Sequence, residues 1–252
     1  MLKRLITYTI VLAASLSLAG PARSAQPAGD AVLVTRVEGT AQAFTKGAAK
    51  GTLIRKNDRL TKEQDVKVDE KSRVELRFPD GTVMRLAEKT QLRLSDVSYD
   101  RKTGGKNMKV DLSVGKLWAK VKKLVTPDSA VEVKTVNAVA GVRGTVYRVN
   151  VEEDASAVVK VYDGQVYVAG LPREVPKPAS QVSGPVPVPG PHEVPPPVHQ
   201  VTMEQWHEIV KAMQQITISP QGVASKPQDF TAQEDTDDWV TWNQERDKQL
   251  KF

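Results

Sequence analysis

Ser72-Arg73-Val74-Glu75-Leu76-Arg77-Phe78 runs into Pro79-Asp80-Gly81 and leaves through Thr82-Val83-Met84-Arg85-Leu86. Val74, Leu76 and Phe78 alternate with Arg73, Glu75 and Arg77, the period of a strand with one buried and one wet face. Asp80-Gly81 supplies the positive φ that a tight turn needs. The stretch therefore predicts a β-hairpin, and the same pattern recurs on either side of it. Further strands are expected over 31–37, 40–44, 91–99, 108–114, 116–121, 129–135 and 145–151, with Gly104-Gly105 as an exposed turn. A second hairpin is expected from Ala157–Tyr162 and Gln165–Ala169 around Asp163-Gly164. Short strands every 8–12 residues, with no amphipathic helix before residue 200, describe an all-β sandwich or barrel rather than alternating strands and helices.

The rest of the chain divides by composition. Residues 1–24 read as a secretory signal: Lys3 and Arg4 precede an apolar run from Leu5 to Ala19, and Ala22-Arg23-Ser24 offers a cleavage site after Ser24. That run is short for a bilayer span of roughly 20 residues, although an uncleaved anchor is the alternative. Export of the mature chain, with no membrane span left after cleavage, is the expectation, and the absence of Cys means that it needs no oxidative folding. Residues 25–170 form the β body. Residues 171–200 hold ten Pro in thirty, an extended linker of polyproline character. Residues 201–252 are expected to carry a helix and an acidic, Trp-bearing tail. Thr202 is a possible N-cap, and Met203, Trp206, Val210, Met213 and Ile216 fall on one helical face.

The whole sequence carries 36 Lys+Arg against 30 Asp+Glu, unevenly spread. Residues 25–170 hold 26 against 19, a net of +7, and residues 171–252 hold 7 against 11, a net of −4. Oppositely charged parts predict that 201–245 pack back on the body; a tethered arm ordered by a partner is the alternative. Glu234, Asp235, Asp237 and Asp238 read as a solvated acidic patch, since they lack the Gly and terminal Glu of a calcium loop.

Catalytic patterns do not stand out. His192, His199 and His207 make no H-x-x-x-H pair, no G-x-S-x-G elbow occurs, and no phosphate-binding glycine loop is present. No enzyme activity, metal or cofactor is therefore expected, and an exported chain makes nucleic acid a poor partner. One constellation remains. Gly141 and Gly144 bracket a lone Arg143 ahead of Thr145, which reads as a sharp crossover between strands. Arg143 either points inward to a structural partner or outward to a ligand. Trp239 and Trp242 join it as candidate partner-binding residues.

Ala140-Gly141-Val142-Arg143-Gly144-Thr145, followed by Tyr147 and Val149 and then by Asp163-Gly164-Gln165-Val166, resembles the signature of the FecR domain family. Val37-Glu38-Gly39, Leu53…Asp58…Leu60, the hairpin at 74–86 and Val114-Gly115-Lys116-Leu117-Trp118 are similar to other parts of that family, so the resemblance covers roughly 31–170. It implies a periplasmic, jelly-roll-like β-sandwich used for sensing or binding. Sigma-factor regulators of the family carry a cytoplasmic segment before a membrane span; only Met1–Arg4 precede the apolar run here. The expectation is the stand-alone exported form, binding an envelope protein or an anionic cell-wall glycan. A structural protein packed on the cell wall and a carbohydrate-active jelly roll are the rival readings.

Overall fold

A computed structural model of the chain describes residues 30–123, 126, 129–171 and 207–250. The signal segment, the Pro-rich linker, Met203 and Trp206 lie outside the described residues. The elements in order are β1 (Val32–Glu38), β2 (Ala41–Thr45), β3 (Thr52–Leu53), β4 (Arg59–Leu60), β5 (Gln64–Val68), β6 (Arg73–Arg77), β7 (Val83–Leu86), β8 (Gln91–Tyr99) and β9 (Lys106–Lys120). They continue through β10 (Ala130–Lys134), β11 (Ala138–Val142), β12 (Val146–Val151), β13 (Ala157–Asp163), β14 (Gln165–Gly170), β15 (His207–Lys211), β16 (Gln214–Ile218), β17 (Gln228–Asp229) and the helix α1 (Asp238–Gln249).

These strands make the expected all-β sandwich. One layer runs β4, β1, β6, β7, the second half of β9, β12, β13, β16 and β17. The other runs β3, β2, β5, β8, the first half of β9, β10, β11, β14 and β15. They are called the first and second layers below. Among the described residues only β9 and β10 pair in parallel; every other neighbour is antiparallel. Val34, Leu76, Met84, Leu117, Val149 and Ile216 of the first layer meet Val66, Leu94, Val110, Val133, Val168 and Val210 of the second in one buried cluster.

The long strand β9 belongs to both layers, where the sequence reading expects two strands. It bends at Gly115, whose φ is 102° and where a Cβ would lie 2.5 Å from Thr90 Cα. A side chain at this position would meet backbone, so only glycine lets the strand pass from one layer to the other.

The hairpin of the opening stretch is present, with β6 and β7 paired from Val74↔Leu86 to Arg77↔Val83. The second expected hairpin is not. β13 pairs with β12 and β16, while β14 pairs with β11 and β15, so Asp163-Gly164 turns the chain from one layer to the other. Alternation within each strand is the same for a hairpin and for such an arch, and the turn residues do not separate them. The expected helix is also corrected over its described part. Residues 207–211 and 214–218 are strands, joined by an arch in which Met213 has φ 60°. Val210, Met213 and Ile216 fit a helical stripe, but Val210 is also flanked by wetter neighbours at the period of a strand. The exposed edges of β13 and β14 supply pairing partners, and long-range pairing overrides local spacing.

Three arches thus lie side by side: β11 to β12 through Arg143-Gly144, β13 to β14 through Gly164, and β15 to β16 through Met213. They touch. A Cβ on Gly164 would meet Thr145 Cγ2 at 2.7 Å and the Gly144 carbonyl oxygen at 3.0 Å, and the Met213 N–H donates to the Val161 carbonyl at 2.8 Å.

Among the described residues the helical segment is instead α1. Asp237 caps it, its carboxylate accepting the Val240 N–H at 2.6 Å. Asp238 in the first turn and Arg246 and Lys248 in the last complement the helix dipole.

Candidate functional site

The cross-strand register of the first layer places five side chains in one row on its outer face. Glu75 on β6 sits opposite Arg85 on β7, Arg85 opposite Trp118 on β9, Trp118 opposite Arg148 on β12, and Arg148 opposite Lys160 on β13. Alternation predicts this face to be wet. It is not: Arg85 is fully buried and Glu75 is 3% exposed, because residues 230–250 lie across the row. The tail does pack on the body.

The cover is held mainly by charge. Arg85 donates from Nε to Glu75 at 2.7 Å and from Nη1 to Asp247 at 2.7 Å and Asn243 Oδ1 at 3.2 Å. Arg246 donates from Nη2 to both Glu75 oxygens, at 2.9 and 3.0 Å. The Trp118 indole N–H donates to Asp247 at 3.0 Å, and the Lys120 ammonium to the Asp247 carbonyl at 2.9 Å. Arg73 pairs with Asp238. Burial pushes the Glu75 carboxyl up, but hydrogen bonds from Arg85, Arg246 and Thr35, with the charge of Arg85, outweigh it, so the group titrates below the usual carboxylate range.

At the other end of the row the expected solvated acidic patch holds for Glu234, Asp237 and Asp238, which are exposed, and is corrected for Asp235. Asp235 is 6% exposed and takes hydrogen bonds from Arg148, from Lys160 at 3.0 Å and from the Tyr162 hydroxyl. Burial raises the Tyr162 phenol far above its ordinary value; the Arg148 charge opposes this, and the bond to Asp235 adds to it. The apolar part of the contact is small. Trp239 and Val240 pack on Ala87 and Trp118, with Trp242 half-buried beside them and the Arg73 guanidinium 5.1 Å from its ring centre. Three buried donors along this contact lack an acceptor among the described residues: Arg85 Nη2, Arg148 Nε and Trp239 Nε1.

The residues singled out from sequence lie in two places. Gly144 has φ 68°, and a Cβ there would meet Lys123 Cγ at 2.7 Å and Cα at 3.0 Å. Thr145 is buried beside it, Gly141 lies inside β11 without a positive φ, and Arg143 is exposed at the arch. Trp239 and Trp242 sit with the charged row instead. Sequence reasoning missed Glu75, Arg85, Arg148, Lys160, Asp235 and Asp247, because their partners are set by register and by contacts more than 70 residues apart. The one signal pointing to them was the opposite charge of body and tail.

A cleft of about 750 Å³ opens beside the first turn of α1. Its walls interleave Lys71, Arg73 and Lys116 with Glu152, Glu153 and Asp238. Among the described residues no group of three His, Asp or Glu side chains is placed to hold a metal ion, and no helix is long and apolar enough to cross a membrane.

On the second layer the edges differ in length. Among the described residues three of the four outermost strands of the two layers, β3, β4 and β17, have two residues each, while β15 has five. Among the described residues β15 pairs only with β14. Beside this edge Tyr167 is 49% and Ile209 50% exposed, directly opposite one another, with His207 stacked on Tyr167.

No curated protein is significantly similar in sequence. Among solved structures, two crystal structures of a candidate anti-sigma factor from Parabacteroides distasonis are similar, each with 18% identity and a TM-score of 0.46 over 71% of this chain. This chain spans 64% of the length of that protein. Residues 64–167, from β5 to the middle of β14 and including the three strands that meet at Arg85, Trp118 and Arg148, match the family described as FecR protein. That stretch is similar to the FecR family.

Proposed function

We propose that this chain is a non-catalytic regulatory module of the cell envelope that senses by binding a protein partner. It reads as an exported protein, and the match to the FecR family supports a sensing rather than a catalytic element. The observation that carries the protein-partner reading is the open edge of β15. A five-residue strand that, among the described residues, is paired along one side only and has flanking apolar side chains accepts an added strand, whereas two-residue edges do not. A second reading rests on Lys46, Lys50, Arg55, Lys56, Arg59 and Lys62, all exposed in one stretch of sequence, which suit an anionic cell-wall glycan.

Site-specific photo-crosslinking in cells separates the two. A crosslinker replacing Ile209 should give a discrete protein adduct. One replacing Leu53, 54% exposed on the two-residue β3, should not. Equal labelling from both positions, or none from Ile209, would refute strand addition at β15. Salt-sensitive sedimentation with purified cell-wall polymer, abolished by reversing the six basic residues, would instead support the glycan reading.

A further inference from the structure

The strongest clue outside the β15 edge is the mismatch beneath α1. The helix lies over β6, β7 and β9, yet of its twelve residues only Trp239, Val240 and Asn243 are buried. A helix that simply completed a core would bury a wider apolar stripe. Its attachment is ionic, through Asp247, Arg246 and Asp238, and among the described residues it offers no acceptor to Arg85 Nη2; its own Trp239 Nε1, and Arg148 Nε beside Asp235, also lack one. All three are donors. Leaving a buried donor unpaired costs stability, and the cost is larger for a charged group. Two of the three, Arg85 Nη2 and Arg148 Nε, belong to the row, which therefore holds donors for a more acidic occupant than its present cover.

We propose that this row is a recognition surface for an acidic helical segment of a partner protein, and that α1 is its resident competitor. The tail allows this because it has two separate anchors. Phe230 is buried, with its ring against Tyr162, and Asp235 is fixed by Arg148, Lys160 and Tyr162. The helix begins only after Asp237, so α1 can leave while the Asp235 anchor stays. Its departure uncovers Arg85, Trp118 and Ala87. An incoming helix with a carboxylate where α1 has Asn243 would face the guanidinium of Arg85, which now shares Nη1 between Asn243 and Asp247 and leaves Nη2 unused. Charge-assisted pairing of that kind is stronger than a neutral one. The occupant is identified by its chemistry: a helix with a Trp or similar ring for the Trp118 surface and carboxylates spaced for Arg85.

The test uses the full chain with one Cys introduced at the exposed Lys248 and labelled with a fluorophore, which is specific because the chain has no Cys of its own. Synthetic peptides of residues 233–250 are added, one with the native sequence, one with Asn243→Asp and one scrambled. Both ordered peptides should release the labelled helix, seen as a fall in anisotropy, with Asn243→Asp acting at several-fold lower concentration. The scrambled peptide should do nothing. Since a competitor lowers apparent affinity by the fraction of open molecules, an Asp247→Ala chain should bind labelled native peptide about tenfold more tightly than wild type. Peptide binding without release, release by the scrambled peptide, or equal affinity of the Asp247→Ala and wild-type chains would overturn the proposal. Release that occurs only with dimerisation of the chain would assign the surface to a second copy and would overturn the acidic-partner assignment too.

Discussion

The two outer faces of the sandwich carry the same alternation of charged and apolar residues and meet opposite fates. On the second layer Arg93 pairs with Asp65 at 2.7 Å, and both side chains stay about half exposed. On the first layer Arg85 pairs with Glu75 at the same distance, and both are buried under a helix more than 150 residues away in sequence. Strand periodicity reports which side chains share a face. It does not report whether that face meets water, because the cover comes from elsewhere in the chain.

Breaking the comparison at its strongest point gives the largest expected effect. Arg85→Ala leaves the Glu75 and Asp247 carboxylates buried with fewer partners and should cost about 3–5 kcal/mol in denaturant unfolding. Arg93→Ala on the exposed face should cost less than about 1 kcal/mol. Similar losses from both substitutions would mean that the first face is not closed.

The arches that join the layers come next. Gly144→Val must adopt a positive φ and push against Lys123, and should destabilise by about 1–3 kcal/mol. An unchanged melting curve would remove the stacked arches as the reason for the glycine.

Acid should separate the faces by a smaller step. The folded pKa of Glu75 is depressed, so its contribution is complete above about pH 4.3, the unfolded value, and is lost as pH falls through the folded value below it. Stability should therefore drop below about pH 4, and Glu75→Gln should flatten that part of the profile. An identical profile for the variant would show that the buried carboxylate is not what the acid limb reports. The smallest effect belongs to the open edge. Ile209→Lys should change stability by no more than about 0.5 kcal/mol, since the residue is half exposed, while removing the partner adduct formed from a crosslinker placed at Tyr167 opposite it.

Much of the fold was legible because most strands form where alternation and turn residues place them. The hairpin at Asp80-Gly81 and the strand Gln91–Tyr99 are examples. What was not legible is long-range. Asp163-Gly164 turns between layers rather than within one, residues 207–218 form strands because β13 and β14 need partners, and β9 runs unbroken through Gly115. The site divides the same way. Gly144 and Thr145 were readable as a turn signature, whereas Arg85 and Asp247 become a site only through register and docking. Trp239 and Trp242 were readable as more aromatic surface than a loose tail needs, which is why tail docking was the better expectation.

A double-mutant cycle between Arg85 and Asp247 tests the closed face most directly. Arg85→Met, Asp247→Ala and the double variant are compared with wild type by chemical denaturation. The docked helix predicts that the two losses are non-additive, with a coupling of about 1–3 kcal/mol. Additivity to within about 0.5 kcal/mol would mean that these side chains do not meet in solution and that the tail does not close the first layer.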